Sequence, residues 1–195
     1  MSFHFQDKGV SLHAPLIKKT AGGIVNWRDL KKQIENHLKH EPSAIVSTLI
    51  DFYGIHAKHK FPAFGDIAKD NATKLDNMQK GMLRDIQNNL QYRFIPYIQL
   101  HEFEALVFCS LDVLKANFAP AEADFVALET IMNTFSNPED INNSRETAPS
   151  KRLEKHIKGY HKITYGVGLT QSIGLVTLRQ KCPRFNAWIQ SLESI

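Results

Sequence analysis

Two apolar runs, each ending in an acid, constrain this chain more than any other feature. Ala44-Ile45-Val46-Ser47-Thr48-Leu49-Ile50 is β-branched and nearly all apolar, and it stops at Asp51. Tyr92-Arg93-Phe94-Ile95-Pro96-Tyr97-Ile98-Gln99-Leu100 is its counterpart, and it stops at His101-Glu102. Runs of this composition suit strands buried on both faces better than half-wet ones. Between them, Ile67 to Leu90 carries Leu75, Met78, Met82, Leu83 and Ile86 at helical spacing. A helix between two such strands implies a crossover and therefore a parallel sheet. Pro96 removes one ladder donor, which pushes the second run towards an edge or a bulge.

The remaining elements follow from periodicity and punctuation. Val10 to Ile17 reads as a short strand. Beyond Gly22-Gly23, Asn26 is an N-cap for a helix from Trp27 to about His40, with Leu30, Ile34 and Leu38 on one face and Pro42 just past its end. From Glu104 onward the pattern is helical: 104–109, 111–117, 122–135, 148–158 capped by Thr147 with Gly159 past its end, 168–181, and 185–192 after Pro183. The expectation is an α/β fold, a mostly parallel sheet of few strands flanked by helices, with a helical C-terminal half. No repeat, low-complexity tract or Pro/Gly/Ser linker divides the chain, so 1–195 reads as a single domain, with 1–100 as the strand and helix core and 101–195 as the mainly helical part.

At 195 residues, 43% hydrophobic and 23% charged, the chain can build a sizeable core, which excludes disorder, collagen and coiled coil. No apolar run approaches the roughly 18 residues of a membrane helix, and Met1-Ser2-Phe3-His4-Phe5-Gln6 lacks the charged-then-apolar order of a signal peptide. The expectation is a cytoplasmic protein without a membrane partner. Cys109 and Cys182 are far apart with no CxxC spacing, so neither a disulfide framework nor a thiolate zinc site can be built from them alone, and a reducing compartment is expected.

The net charge of +4 is unevenly distributed. Residues 145–184 hold nine Lys/Arg against two acids, whereas 101–144 hold eight acids against Lys115. Carboxylates for a cation beside Lys/Arg for an anion are what a metal-and-phosphate site needs. Two solvated faces of opposite sign satisfy the same pattern. In an open parallel sheet, ligands bind at the carboxyl ends of the strands, so Asp51, Glu102 and Glu104 could converge there and share Mg²⁺ or Mn²⁺. The competing reading is that each acid caps a following helix. His101 abuts this cluster. His56 and His59, beside Lys58 and Lys60, read as solvent-exposed, and His37 and His40 favour a helix C-terminus. For an anion, the helix start Arg145-Glu146-Thr147-Ala148-Pro149-Ser150-Lys151-Arg152 offers free N–H groups and three cations, with Lys162 further along the same basic segment. GxxxxGK[ST], GxGxxG and GxSxG are all missing, so a phosphate-loop NTPase, a dinucleotide binder and an α/β-hydrolase have no support.

Five strings then occur in order over nearly the whole chain: Ile50-Asp51-Phe52-Tyr53-Gly54, Phe94 to Leu106 with its His101-Glu102-Phe103-Glu104, Pro138-Glu139-Asp140-Ile141-Asn142, Thr147 to Leu153, and Lys181-Cys182-Pro183-Arg184-Phe185-Asn186-Ala187-Trp188. Together they resemble the bacterial DUF4276 family. The resemblance implies a Toprim-like fold, related to metal-dependent nuclease and topoisomerase-primase domains, and for some members an ATPase partner in mobile-element defence. It implies a Mg²⁺- or Mn²⁺-dependent phosphodiester-cleaving enzyme. Asp51, Glu102 and Glu104 would be its catalytic and metal acids, Arg145, Ser150, Lys151 and Arg152 its phosphate contacts, and His101 and Lys162 accessory residues. The alternative is a non-catalytic accessory module that binds a partner protein or nucleic acid. Such proteins open with a strand leading into Glu-Gly-x-Thr-Glu, which this sequence lacks, and Tyr53 stands where a second acid would follow Asp51. The expectation is therefore a chain shortened at its N-terminus or one lacking part of the site, with little hydrolysis and a sheet edge that favours self-association.

Overall fold

The structure, a computed structural model, describes residues 2–15, 17, 24–142, 144 and 146–195. The chain divides into two compact units, residues 1–98 with Ile195, and residues 99–194.

In the first unit, helix α1 is Ser2–Gln6 and helix α2 is Trp27–His40. The Asn26 side chain accepts the Asp29 N–H at 3.0 Å, so the cap stands where the sequence places it, and Leu30, Ile34 and Leu38 are buried on one face. Three carbonyls around the end of α2 converge on one guanidinium. Arg93 donates to the carbonyls of Leu38 at 2.8 Å and of Glu41 and Ala44 at 3.0 Å each. Helix α3 is Asn71–Asp85, shorter at both ends than the periodicity of 67–90 suggests. Asp70 fixes its start by accepting the Thr73 N–H at 2.7 Å, which leaves Ile67 outside and fully exposed. Extended backbone at Ile86 ends it.

The expected continuous strands are four two-residue pieces: β1 Val46–Ser47, β2 Ile50–Asp51, β3 Phe94–Ile95 and β4 Ile98–Gln99. β1 pairs with β3 in parallel, Val46 opposite Phe94 and Ser47 opposite Ile95, and β2 lies beside β4. Pro96 has no N–H, so the ladder cannot run through it. Thr48 fills the gap with its side chain: its hydroxyl accepts the Tyr97 N–H at 2.9 Å and donates to the Tyr97 carbonyl at 3.0 Å. The Ser47 hydroxyl likewise donates to the Ile95 carbonyl at 2.7 Å. The first run is not buried on both faces, because Leu49 is 45% exposed. The strand expected over 10–17 does not form: its described residues 10–15 and 17 are irregular and mostly exposed, so no partner edge supports them. Leu16, Gly22 and Gly23 lie outside the described residues.

The second unit is helical, as expected of the C-terminal half. A 3-10 helix spans Phe103–Cys109, followed by α4 Leu111–Asn117, α5 Phe125–Thr134, α6 Pro149–His156, α7 Lys162–Ile173, α8 Leu175–Lys181 and α9 Pro183–Glu193. Phe108, Leu114, Leu128, Ile141, Leu153 and Ile157 form its buried centre. The helix expected over 168–181 is two helices, because Gly174 at φ +80° breaks the ladder in a conformation that costs other residues strain. The start of α5 moves to Phe125, where Asp124 accepts the Ala127 N–H at 3.0 Å. Glu139, almost fully buried, accepts the N–H groups of Arg184 at 2.8 Å and Phe185 at 3.1 Å, the first turn of α9. Cys109 and Cys182 are both fully buried, with sulfurs in contact at 3.3 Å.

Candidate functional site

Helix α6 begins without a cap of its own. Thr147, the expected cap, is not in the N-cap position, Ala148 has no side-chain acceptor, and Pro149 has no N–H. The first donor free to be capped is therefore the Ser150 N–H, and the Glu102 carboxylate accepts it at 3.0 Å. A negative charge here also suits the positive end of the helix. Glu102 thus caps a helix, as one reading of the sequence allows, but one 48 residues away rather than the turn that follows it.

The backbone around Glu102 is tightly bent. His101 has φ +65°, and its Nδ1 lies 3.1 Å from the Asn142 side-chain amide. Burial holds the imidazole below its ordinary pKa, opposed by the charges of Asp140 and Glu102. Two residues on, Glu104 is 6% exposed against 7% for Glu102. Burial pushes the Glu104 carboxyl above the usual range, its own N–H and Lys162 pull it down, and Glu102 and Glu154 add to the rise.

Tyr160 is the residue that motif reading missed. Its hydroxyl is buried and has no hydrogen-bond partner among the described residues. Burial, then Glu104, Glu154 and Glu102, push the phenol well above its ordinary pKa. A Cβ placed on Gly166 of α7 would meet the Phe103 ring at 3.9 Å and both Glu104 Oε1 and the Tyr160 hydroxyl at 4.0 Å. Gly166 thus marks where α7 passes over an acid and a phenol together, with room for a methyl group in ordinary contact. Nothing in the sequence around Tyr160 marks it, since it belongs to no motif and its partners lie in other elements.

Of the expected phosphate contacts, Ser150 is buried and its N–H is used by Glu102. Lys151 pairs with Glu154 on the surface of α6. Arg152 donates from Nε to the Thr147 carbonyl at 2.6 Å, and its guanidinium lies 5.4 Å from the Phe135 ring centre. Lys162 is exposed at the start of α7. Arg145 lies outside the described residues. Asp51 ends β2 in the first unit and gives no side-chain cap to the turn Phe52–Gly54. The second unit brings together His101, Glu102, Glu104 and Ser150, with the charge of Lys162 felt at Glu104. Among the described residues, no three or more His, Cys, Asp or Glu side chains form a group able to hold a metal ion. Also among them, no helix is long and apolar enough to cross a membrane.

A family model described as "Domain of unknown function (DUF4276)" matches residues 1–193. No curated protein and no solved structure matches the chain.

Proposed function

The chain belongs to the DUF4276 family, and on that premise we propose that it is a metal-assisted phosphodiester hydrolase acting on nucleic acid, with Glu102 and Glu104 as central acids. The observation that carries this is the burial of both carboxylates, two residues apart and each more than nine-tenths removed from solvent. Like charges so placed are costly unless a cation offsets them. The donors are carboxylate oxygens without thiolate, a set that suits Mg²⁺ or Mn²⁺. When bound, such an ion polarises a phosphoryl oxygen and lowers the pKa of an attacking water. Glu102 keeps one oxygen on the Ser150 N–H, which fixes its orientation. His101, whose pKa burial holds below its ordinary value, stands beside these acids as an accessory residue, and Lys151 and Lys162 supply charge for phosphate. Asp51, Arg145, Ser150 and Arg152 remain part of this reading as a further acid and further phosphate contacts. So does an ATPase partner, on the family resemblance alone; self-association and a cytoplasmic compartment stay with it as expectations of the sequence.

The test is cleavage of labelled DNA and RNA by the purified chain with Mg²⁺ or Mn²⁺. Glu102→Gln and Glu104→Gln are each expected to lower the rate at least about 100-fold. No cleavage, or cleavage indifferent to both changes, overturns the proposal. A second reading, a non-catalytic module that binds nucleic acid or a partner protein, is favoured by one observation: Glu102, Lys151 and Arg152 all have partners within the fold. Binding that is weakened by salt, without cleavage, supports it.

A further inference from the structure

Cys109 is the last residue of the 3-10 helix Phe103–Cys109, and Cys182 stands between α8 and α9. They are 73 residues apart in sequence, fully buried in the same unit, and their sulfurs touch at 3.3 Å. An S–S bond of about 2.05 Å needs a closing movement of only about 1.3 Å. We propose that Cys109 and Cys182 form a reversible intramolecular disulfide, a covalent tie between the segment that carries Glu102 and Glu104 and the start of α9.

The chemistry requires an oxidant, either a hydroperoxide or a low-molecular-weight disulfide. With a hydroperoxide, one thiolate attacks the O–O bond and becomes a sulfenic acid, releasing water or an alcohol. The second thiolate then displaces the sulfenic hydroxyl as water, so two thiols have lost two protons and two electrons. With a small disulfide, one thiolate forms a mixed disulfide and expels one thiol, and the second expels the other. The contact with Cys109 and burial both push the Cys182 thiol upward. The closed unit therefore oxidises slowly, and reaction proceeds when the first turn of α9 opens. Glu139 holds the N–H groups of Arg184 and Phe185 in that turn.

The test treats the full chain with hydrogen peroxide or oxidised glutathione, then denatures it and alkylates its thiols. The expected product is a monomer about 2 Da lighter that takes up no alkyl group. It should give a peptide joined through Cys109 and Cys182, revert with dithiothreitol, and melt roughly 5–15 °C higher. Refolding from urea in a glutathione redox buffer should give the same bond without depending on oxidant access. Cys109→Ala and Cys182→Ala should each abolish the mass loss. Two alkylated cysteines after both procedures, a glutathione or sulfinic adduct on one of them, or dimers linked between chains would overturn the proposal.

Discussion

The Thr48 hydroxyl receives the N–H of Tyr97 and returns a hydrogen bond to the carbonyl of the same residue, at 2.9 and 3.0 Å. One side chain thereby does the work of two backbone ladder groups beside a proline. Thr48→Val keeps the shape and removes both bonds, leaving a buried donor and acceptor unpaired. The expected loss is about 2–3 kcal/mol, or roughly 5–10 °C in Tm, with Thr48→Ser recovering most of it. Thermal melts of the three proteins check this, and an unchanged Thr48→Val melt refutes it.

Glu139 is the remote cap of α9, and two backbone donors depend on it. Glu139→Ala should cost about 3 kcal/mol, since hydrogen bonds to a charged acceptor are stronger than neutral ones. Glu139→Gln retains one of the two acceptors and sets its NH₂ against the other N–H, so it should cost less than Glu139→Ala but not be neutral. Urea denaturation midpoints rank the two variants.

The same residue gives a pH dependence with a definite sign. Burial raises the Glu139 pKa above its ordinary 4.5, and the N–H groups of Arg184 and Phe185 only partly offset this. The folded state therefore binds the proton more tightly than the unfolded state. Its contribution to stability is greatest below 4.5 and is lost as pH rises through the folded pKa. Glu139→Gln does not titrate, so its Tm relative to the parent should climb over that interval and level off above it. A Tm difference that stays constant, or falls as pH rises, contradicts the assignment.

Lys151 and Arg152 are neighbours with different structural roles. Lys151 makes an exposed ion pair with Glu154, worth at most about 1 kcal/mol, so Lys151→Ala should leave Tm nearly unchanged. Arg152 holds the Thr147 carbonyl and lies near Phe135, so Arg152→Ala should cost about 1–2 kcal/mol. If both meet phosphate, each change should also reduce the salt slope of nucleic-acid binding by about one. Titrations across salt concentration separate that effect from the loss of stability.

Local signals were the legible ones. Asn26 with Leu30, Ile34 and Leu38 specifies α2 because cap and apolar face lie within one element. The two apolar runs indicate strands, but not that Pro96 and Thr48 interrupt them, since that exchange joins residues 49 apart. Acids at the strand ends were visible. The Glu102 bond to the start of α6 was not, because Thr147 supplies an equally good local cap signal and the decisive contact is 48 residues away. The contact between the Cys109 and Cys182 sulfurs was hidden for the same reason.

Arg93 ties together the carbonyls of Leu38, Glu41 and Ala44, which span the last turn of α2 and the approach to β1. Each of these segments would otherwise fray at its own low free energy. A single planar cation with acceptors in all of them links their openings, because releasing one carbonyl leaves the guanidinium partly desolvated among the others. The end of α2, the 41–45 connection and β3 should thus open as one cooperative unit, with a shared amide-exchange free energy rather than a gradient along the chain.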